Sequence, residues 1–264
     1  MHDDYDQDQD HDDDAGHSID VSEDDGVRYL HFGSEWIQGA MRIRRPWALE
    51  LDYTREMMAG LLLRDAPWPK RALLIGLGAG SLAKFIWRYL PQTKSTVIEI
   101  NPRIPFAARQ FFKLPAEDER LKIRIGDGAE LIARDRGRYD LILVDGFDHH
   151  ARVGALDSLP FYQHCRERLS DNGLFATNLF GDRRGFRASV ERVRQAFAGR
   201  ALILPACSGG NTIALAAVGE PLAVPLTELR QRAAALKRDT ALDLRPTLSR
   251  LQMAQAMPDG VLRF

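Results

Sequence analysis

Apolar residues follow two alternating patterns along most of this chain. Short uninterrupted runs such as Ala72-Leu73-Leu74-Ile75 are typical of strands that are buried on both faces of a sheet. Between these runs lie longer segments, such as residues 81–90, whose apolar residues recur at the spacing of a helix. Strands and helices that alternate in this way predict an α/β fold in which helices cover both faces of a mostly parallel, seven-stranded sheet.

The boundaries of the predicted elements follow from where these patterns begin and end. The predicted strands of the main sheet are residues 72–75, 95–100, 121–125, 139–144, 173–180, 201–204 and 211–218. The predicted helices are residues 81–90, 102–112, 128–134, 159–169, 186–197, 226–236 and 247–257. Because only a short Gly-containing segment, residues 206–210, separates the last two strands, we expect them to form a hairpin, which makes the last strand antiparallel.

The composition changes at both ends of this α/β region. Residues 1–25 contain eleven Asp, one Glu and no Lys or Arg, and we expect a disordered acidic tail because they have little apolar surface to bury. Residues 26–66 alternate apolar and polar side chains before a helical stretch, which predicts a small N-terminal β and helix element. We expect the α/β domain to span residues 67–220 and C-terminal helices to span residues 221–264.

A glycine-rich turn lies between the first strand and the first helix of the α/β domain. Gly76, Gly78 and Gly80 follow the strand directly, and Glu99 ends the next strand about twenty residues later. This arrangement is typical of a Rossmann-like nucleoside-binding unit, in which glycines let the backbone approach the ligand and the acid accepts hydrogen bonds from the ribose. Ser81 stands where a dinucleotide site has its third glycine, so an adenosyl sulfonium ligand fits this pattern better than NAD.

Further polar residues follow the later strands, whose carboxyl ends form the ligand edge of such a sheet. Asp127 precedes Gly128 after the third strand, where its carboxylate could bind the adenine amine or cap the following helix. Asp145 and Asp148 follow the fourth strand, where they could hold a cationic amine and accept its proton, and Asn178 lies in the fifth. A solvated acidic loop, or a metal site that includes the neighbouring histidines, is the alternative for the two later carboxylates.

With these motifs in the same order, the chain resembles the spermidine synthase family, the polyamine aminopropyltransferases. The resemblance covers residues 36–218 and rests on residues 54–58, 76–80, 97–100, 127–128, 139–145, 148 and 161–162. It implies a Rossmann-like S-adenosylmethionine-dependent transferase fold with a small N-terminal β element, and a dimer or tetramer. It also implies transfer of an aminopropyl group from decarboxylated S-adenosylmethionine to a polyamine such as putrescine, with no metal. By this resemblance Glu99 binds ribose, Asp127 binds the adenine amine, Asp145 activates the acceptor amine and Asp148 holds the polyamine.

Three positions depart from the family pattern. Ala79 replaces an Asp of the family's glycine loop, and Thr54 and Arg55 replace a tyrosine and histidine pair, with Tyr53 displaced by one residue. These changes leave open a second hypothesis, a methyltransferase that uses ordinary S-adenosylmethionine, whose carboxylate Arg55 or Arg103 could attract. Both hypotheses make S-adenosylmethionine or its decarboxylated form a co-substrate.

Composition and charge bear on location and partners. No apolar run is long enough to span a membrane and the first residues show no secretory pattern, so we expect a cytoplasmic protein. Outside the acidic tail, 36 basic and 25 acidic residues give a net charge of about +11, which raises a third hypothesis, a non-catalytic or nucleic-acid-associated module. The basic residues after Arg183 lack interleaved aromatic residues, which favours solvated helix faces instead. We expect a small-molecule amine substrate, a homodimer, and neither membrane nor nucleic acid as a partner.

Overall fold

The computed structural model describes residues 18–33, 36–146, 154–180, 185–207 and 209–264. In this part of the chain, a seven-stranded central sheet stands beside two small antiparallel sheets. The central strands are β4 (Arg71–Ile75), β5 (Lys94–Glu99), β6 (Leu121–Ile125), β7 (Tyr139–Val144), β8 (Leu169–Phe180), β9 (Ala201–Ile203) and β10 (Asn211–Ala217). Their order is β6-β5-β4-β7-β8-β10-β9. Strand β10 runs in the direction opposite to the other six strands. The predicted, mostly parallel sheet with an antiparallel last strand is therefore confirmed.

Helices cover both faces of this sheet. Successive residues of a strand point to opposite sides, so an entirely apolar strand makes both faces apolar, and each face is buried under helices. They are α2 (Ser81–Tyr89), α3 (Ile104–Phe112), α4 (Gly128–Arg134), α5 (Leu159–Arg168) and α6 (Phe186–Ala196). Leu74 packs with Phe85 of α2 in the core on one face, while Leu73 packs in the core on the other face with Phe161 of α5. All four side chains are buried, and each such burial contributes about 1.5–3 kcal/mol to folding.

An N-terminal antiparallel sheet precedes the central sheet. It contains β1 (Ile19–Asp24), β2 (Val27–Phe32) and β3 (Gly39–Arg42). Strand β1 lies inside the segment predicted to be a disordered tail, so that prediction is wrong for its last residues, whereas residues 1–17 lie outside the described ranges. The strand forms because Ile19 and Val21 pack against the small core around Leu30, while the intervening acidic side chains face solvent.

Helix α1 (Asp52–Met57) and a following 3-10 turn (Met58–Leu62) connect the N-terminal sheet to β4. The C-terminal region contains α7 (Leu226–Thr240) and α8 (Arg245–Met253), as predicted, but also the strand pair β11 (Ala223–Pro225) and β12 (Val261–Arg263). The prediction of helices alone was wrong there, because three-residue strands are too short to show a periodic pattern.

Contacts with α8 of the C-terminal region hold helix α1 in place. Glu56 is buried, forms an ion pair with Arg250 of α8, and accepts a hydrogen bond of 3.4 Å from the hydroxyl of Thr247. Breaking a buried ion pair by removing one partner is strongly destabilising, because the remaining charge is left without its counterion. The C-terminal helices therefore hold α1 in the position from which its first residues reach the ligand edge of the sheet.

Candidate active site

The carboxyl ends of the central strands open into a cavity of about 590 Å³. The loop between β2 and β3 and the start of α1 form its opposite wall. Of the residues predicted to bind a ligand, those that line the cavity are Gly76, Gly78, Glu99, Asp127, Gly128 and Asp145. Asp148, predicted to hold the acceptor, lies outside the described residues. The topology thus brings together most of the side chains that the sequence pattern selects.

The glycine-rich turn after β4 contains two glycines that line the cavity, Gly76 and Gly78, and a third, Gly80, that does not. Gly76 has φ +95°, and a Cβ there would lie 2.2 Å from the carbonyl oxygen of Asp145, so only glycine fits. Gly80 has φ +71°, precedes α2, and would place a Cβ 2.9 Å from Leu114. Gly80 is not among the residues that line the cavity, so the structure shows a turn and packing role for it, and its ligand contact stays a prediction.

Glu99 ends β5 and holds the glycine turn. Its Oε2 accepts a hydrogen bond of 2.9 Å from the backbone N–H of Leu77, and its Oε1 accepts one of 2.9 Å from the N–H of Asn101. The side chain is buried and lines the cavity. Because each carboxylate oxygen has two lone pairs, Glu99 has the capacity to accept further hydrogen bonds from the hydroxyls of a bound ribose.

Asp127 caps α4, which was one of the two interpretations of its position. Its Oδ1 accepts hydrogen bonds from the N–H groups of Ala129, at 2.7 Å, and Glu130, at 2.9 Å. The same residue also lines the cavity. Gly128 follows it against the wall, where a Cβ would lie 2.5 Å from Ile75. The cap fixes the carboxylate at one end of the cavity, so capping and ligand binding are compatible.

Asp145 follows β7 at the opposite end of the cavity. Its Oδ1 accepts a hydrogen bond of 3.0 Å from Nδ2 of Asn178 in β8, and the hydroxyl of Tyr53 in α1 donates to the same carboxylate. Burial raises the pKa of Asp145 above its usual value, and the hydrogen bonds from Asn178 and Tyr53 oppose that rise. Burial also raises the pKa of Tyr53 well above its usual value, and the charge of Asp145 adds to that effect.

Sequence reasoning missed three residues at this end of the cavity: Asp52, Cys207 and Asn211. Asp52 begins α1, and its only sequence signal was an acid in the first turn of a helix. Asn211 begins β10, and Cys207 lies in the turn before it. The predicted antiparallel last strand could have indicated both, because such a strand begins at the edge where its parallel neighbours end.

The charged side chains among the described residues that line the cavity are all acidic. The described residues that line it include four carboxylates, those of Asp52, Glu99, Asp127 and Asp145, and no Lys, Arg or His. Arg103, one of the two arginines considered as partners for a ligand carboxylate, is not in the lining. An anionic group would meet a negative field here, and a cationic group a favourable one.

Arg55, the other arginine considered, is also absent from the lining. It donates from Nε to the carbonyl oxygen of Leu49 at 2.8 Å, from Nη1 to Oδ1 of Asp52 at 2.6 Å, and from Nη2 to the carbonyl of Glu50. These contacts hold the guanidinium at the N-terminal side of α1. The structure therefore places the Arg55 guanidinium outside the lining in which the methyltransferase hypothesis would need it.

Among the described residues, no helix is both long enough and apolar enough to cross a bilayer. Within the same residues, no group of three or more His, Cys, Asp or Glu side chains is arranged to hold a metal ion. The histidines next to Asp148, which raised the metal alternative, lie outside those ranges.

Comparison with known proteins identifies the family of the chain. The model of the spermine/spermidine synthase domain matches residues 51–197. The chain is 40% identical over 234 residues to the polyamine aminopropyltransferase of Neisseria meningitidis, covering 89% of each chain, and 38% identical over 244 residues to that of Chromobacterium violaceum, covering 92% of this chain and 93% of the relative.

Two solved structures have a similar fold. A probable spermidine synthase from Corynebacterium glutamicum has a TM-score of 0.69 at 20% identity, covering 87% of this chain and 90% of that one. Human methyltransferase-like protein 13, in complex with SAH, has a TM-score of 0.65 at 25% identity, covering 73% and 93%. The matched domain and the two bacterial relatives, which extend over most of the chain, show that this protein belongs to the spermine/spermidine synthase family.

Proposed function

We propose that this protein transfers an aminopropyl group from decarboxylated S-adenosylmethionine to a polyamine such as putrescine. The observation that carries the proposal is the cavity lining, in which the described residues supply four carboxylates and no cationic side chain. Both substrates are cations, because the donor has a sulfonium and an amine and the acceptor has two amines. The names of the bacterial relatives, polyamine aminopropyltransferase, support the same reaction.

The residues divide into a nucleoside end and an acceptor end. The backbone of Gly76 and Gly78 borders the nucleoside, Glu99 accepts from the ribose hydroxyls, and Asp127 accepts from the adenine amine. Gly128 provides the close wall beside Asp127. These assignments are supported by the shared cavity and by the hydrogen-bonded carboxylates that border it.

Asp145 would act on the acceptor amine. The lone pair of a neutral acceptor nitrogen attacks the aminopropyl carbon bonded to sulfur, a C–N bond forms, and the C–S bond breaks with its electron pair on sulfur. Sulfur thereby loses its positive charge and methylthioadenosine leaves, while nitrogen becomes positively charged and releases a proton. Burial raises the pKa of Asp145, which makes this carboxylate a better proton acceptor than a solvated one. Asp148 is proposed to hold the rest of the polyamine.

Ordinary S-adenosylmethionine is the competing donor of the methyltransferase hypothesis. Its carboxylate would enter a cavity where the described lining has four anionic side chains, and Arg55 is held outside that lining. A methyltransferase is therefore the weaker candidate. We also propose that the protein is a homodimer in the cytoplasm, which light scattering of the purified chain and cell fractionation would test.

Mass spectrometry of reaction products tests the proposed transfer. The protein is incubated with putrescine and each donor in turn, and the matched control is Asp145→Asn, which keeps the side-chain size but cannot accept a proton. The proposal predicts methylthioadenosine and spermidine from the decarboxylated donor alone, with turnover lowered by a factor of about 10² or more in the variant. A methylated product from ordinary S-adenosylmethionine, or full activity of Asp145→Asn, would contradict it.

A further inference from the structure

Two asparagines, one in β10 and one in β8, connect these strands to Asp145, which follows β7. Nδ2 of Asn211 in β10 donates to Oδ1 of Asn178 in β8 at 3.0 Å, and Nδ2 of Asn178 donates to Oδ1 of Asp145 at 3.0 Å. Asn178 is 3% exposed, whereas Asn211 is half-buried and lines the cavity. The antiparallel pairing of β8 with β10 brings the two amides together, with Ile213 opposite Asn178.

The outer hydrogen bond determines which end of the Asn178 amide faces Asp145. With Oδ1 accepting from Asn211, the NH₂ group of Asn178 is directed at the carboxylate. The flipped amide would place its carbonyl oxygen against a carboxylate oxygen and its NH₂ against that of Asn211. Both contacts are repulsive, and the burial of Asn178 limits access of water that could relieve them.

The two hydrogen bonds that run from Asn211 through Asn178 to Asp145 form a relay. This relay holds the carboxylate of Asp145 without neutralising its charge. Amide donors are uncharged, so they orient the carboxylate and leave its full negative charge for a cationic substrate. A lysine or arginine in the place of Asn178 would instead form an ion pair that the substrate ammonium would have to displace. Other titratable groups near this end are Asp52 and Tyr53 from α1 and Cys207, which precedes β10.

We propose that Asn211, acting through Asn178, is a positioning residue that orients the Asp145 carboxylate toward the acceptor amine. This role rests on the proposed aminopropyl transfer, because it assigns a purpose to Asp145 in that reaction. The start of β10 is held by a hydrogen bond of 2.9 Å from the N–H of Cys207 to the carbonyl oxygen of Asn211.

A double-mutant cycle on kcat tests the relay. Asn178→Ala and Asn211→Ala are each expected to lower kcat, the latter by about tenfold, which is the effect of losing one neutral hydrogen bond. If Asn211 acts only through Asn178, the double variant should be no slower than Asn178→Ala alone. The affinity for the nucleoside donor should stay within about twofold in all three, since Glu99 and Asp127 are untouched. Asn172→Ala, at an exposed position near the beginning of β8, is the matched control and should retain normal kcat.

Carbon-detected NMR titration of Asp145 gives a readout that does not need activity. The Asp145→Asn spectrum identifies the carboxyl resonance. Losing the hydrogen bond from Asn178 should raise the pKa of Asp145 further, and Asn211→Ala should shift it in the same direction by a smaller amount. The acid limb of the pH–rate profile should move with it, whereas a purely structural role would lower the melting temperature alone.

The outcomes separate the relay from the reaction. Shifts of the Asp145 pKa without any aminopropyl transfer would retain the relay and overturn the proposed function. If the unmodified protein transfers the aminopropyl group but the two single variants have additive losses in kcat, the relay is overturned and the function is retained. An unchanged Asp145 pKa in Asn211→Ala would have the same meaning. Because Asn211 is half-buried, its variant is expected to fold even if Asn178→Ala does not.

Discussion

Arg55 and Asp52, three residues apart at the start of α1, form an ion pair with 2.6 Å between Nη1 and Oδ1. Asp52 lines the cavity and Arg55 does not. The guanidinium of Arg55 also donates to two backbone carbonyls in the loop before α1, and these hydrogen bonds hold it outside the cavity lining. The arginine that replaces a family histidine therefore brings no positive side chain into the described lining, and the field there stays favourable to cations.

The first prediction concerns this arginine. Arg55→Gln should leave the affinity for both donors within about twofold, because the side chain contacts α1 and its preceding loop instead of the cavity. The loss of a half-exposed ion pair should lower the free energy of unfolding by up to about 1 kcal/mol. Calorimetric titration and urea unfolding measure the two effects. A tenfold weaker affinity for ordinary S-adenosylmethionine alone would show that Arg55 does bind its carboxylate.

The second prediction concerns the acid that the glycine loop lacks. Ala79 lines the cavity but is only 2% exposed and packs in a small core with Leu30 and Phe112, and a Cβ on Gly39 would lie 2.6 Å from its own Cβ. Ala79→Asp should therefore destabilise the protein by about 2–4 kcal/mol through crowding and burial of an unpaired carboxylate.

Urea unfolding of Ala79→Asp beside Ala79→Asn separates size from charge at this position. The asparagine variant should lose less stability, since it shares the crowding but not the buried charge. Unchanged stability of Ala79→Asp together with tighter donor binding would mean that the cavity has room for the family's acid after all.

The third prediction concerns a buried lysine outside the site. Lys84 of α2 is 1% exposed, and its Nζ donates to the carbonyl oxygen of Phe112 at 2.7 Å. Burial lowers the pKa of Lys84 from 10.5 to about 7. The unfolded chain therefore binds more protons than the folded one between about pH 7 and 10.5, so the free energy of unfolding should rise with pH across that window.

Lys84→Met should remove this contribution to the pH dependence. At pH 6, where the native lysine is charged and poorly solvated, the variant should be more stable by on the order of 1–3 kcal/mol, less the cost of the unpaired Phe112 carbonyl. Urea unfolding at pH 6, 7.5 and 9 would show the difference shrinking as pH rises. Parallel curves for the two proteins would contradict the low pKa of Lys84.

The fourth prediction concerns the nucleoside end. Glu99→Ala should weaken donor binding by about tenfold or more, because the ribose loses its acceptor and the N–H of Leu77 loses its partner. Glu99→Gln is the matched control, since it retains an acceptor oxygen, and its loss should be smaller. Calorimetric titration measures both, and an unchanged affinity in Glu99→Ala would show that the ribose assignment is wrong.

The central sheet could be predicted because its signals are local. Buried parallel strands such as β4 and β7 appear as apolar runs, the glycine turn directly follows β4, and Glu99 ends β5. The ligand-edge rule then selected Asp127 and Asp145 without knowledge of their contacts. What the rule could not show is that Asp127 caps α4 with one oxygen, or that Gly80 faces Leu114.

The missed features depend on contacts between distant segments. Strand β1 forms because β2 and the small core around Leu30 accept it, although its own composition is acidic. Asp52 reaches the cavity because α8 holds α1 in place. The contacts run from Thr247 and Arg250 of α8 to Glu56 of α1, nearly two hundred residues away in sequence. No local pattern carries that information, so the position of Asp52 in the cavity lining emerges only from the folded chain.

The most direct test of the account is calorimetric titration of the purified protein with decarboxylated and ordinary S-adenosylmethionine. The cavity lining, with four carboxylates and no cationic side chain among the described residues, predicts that the decarboxylated donor binds at least about tenfold more tightly, a difference of about 1.4 kcal/mol. Equal affinities, or a preference for the donor that retains its carboxylate, would contradict the claim that this cavity selects an aminopropyl donor.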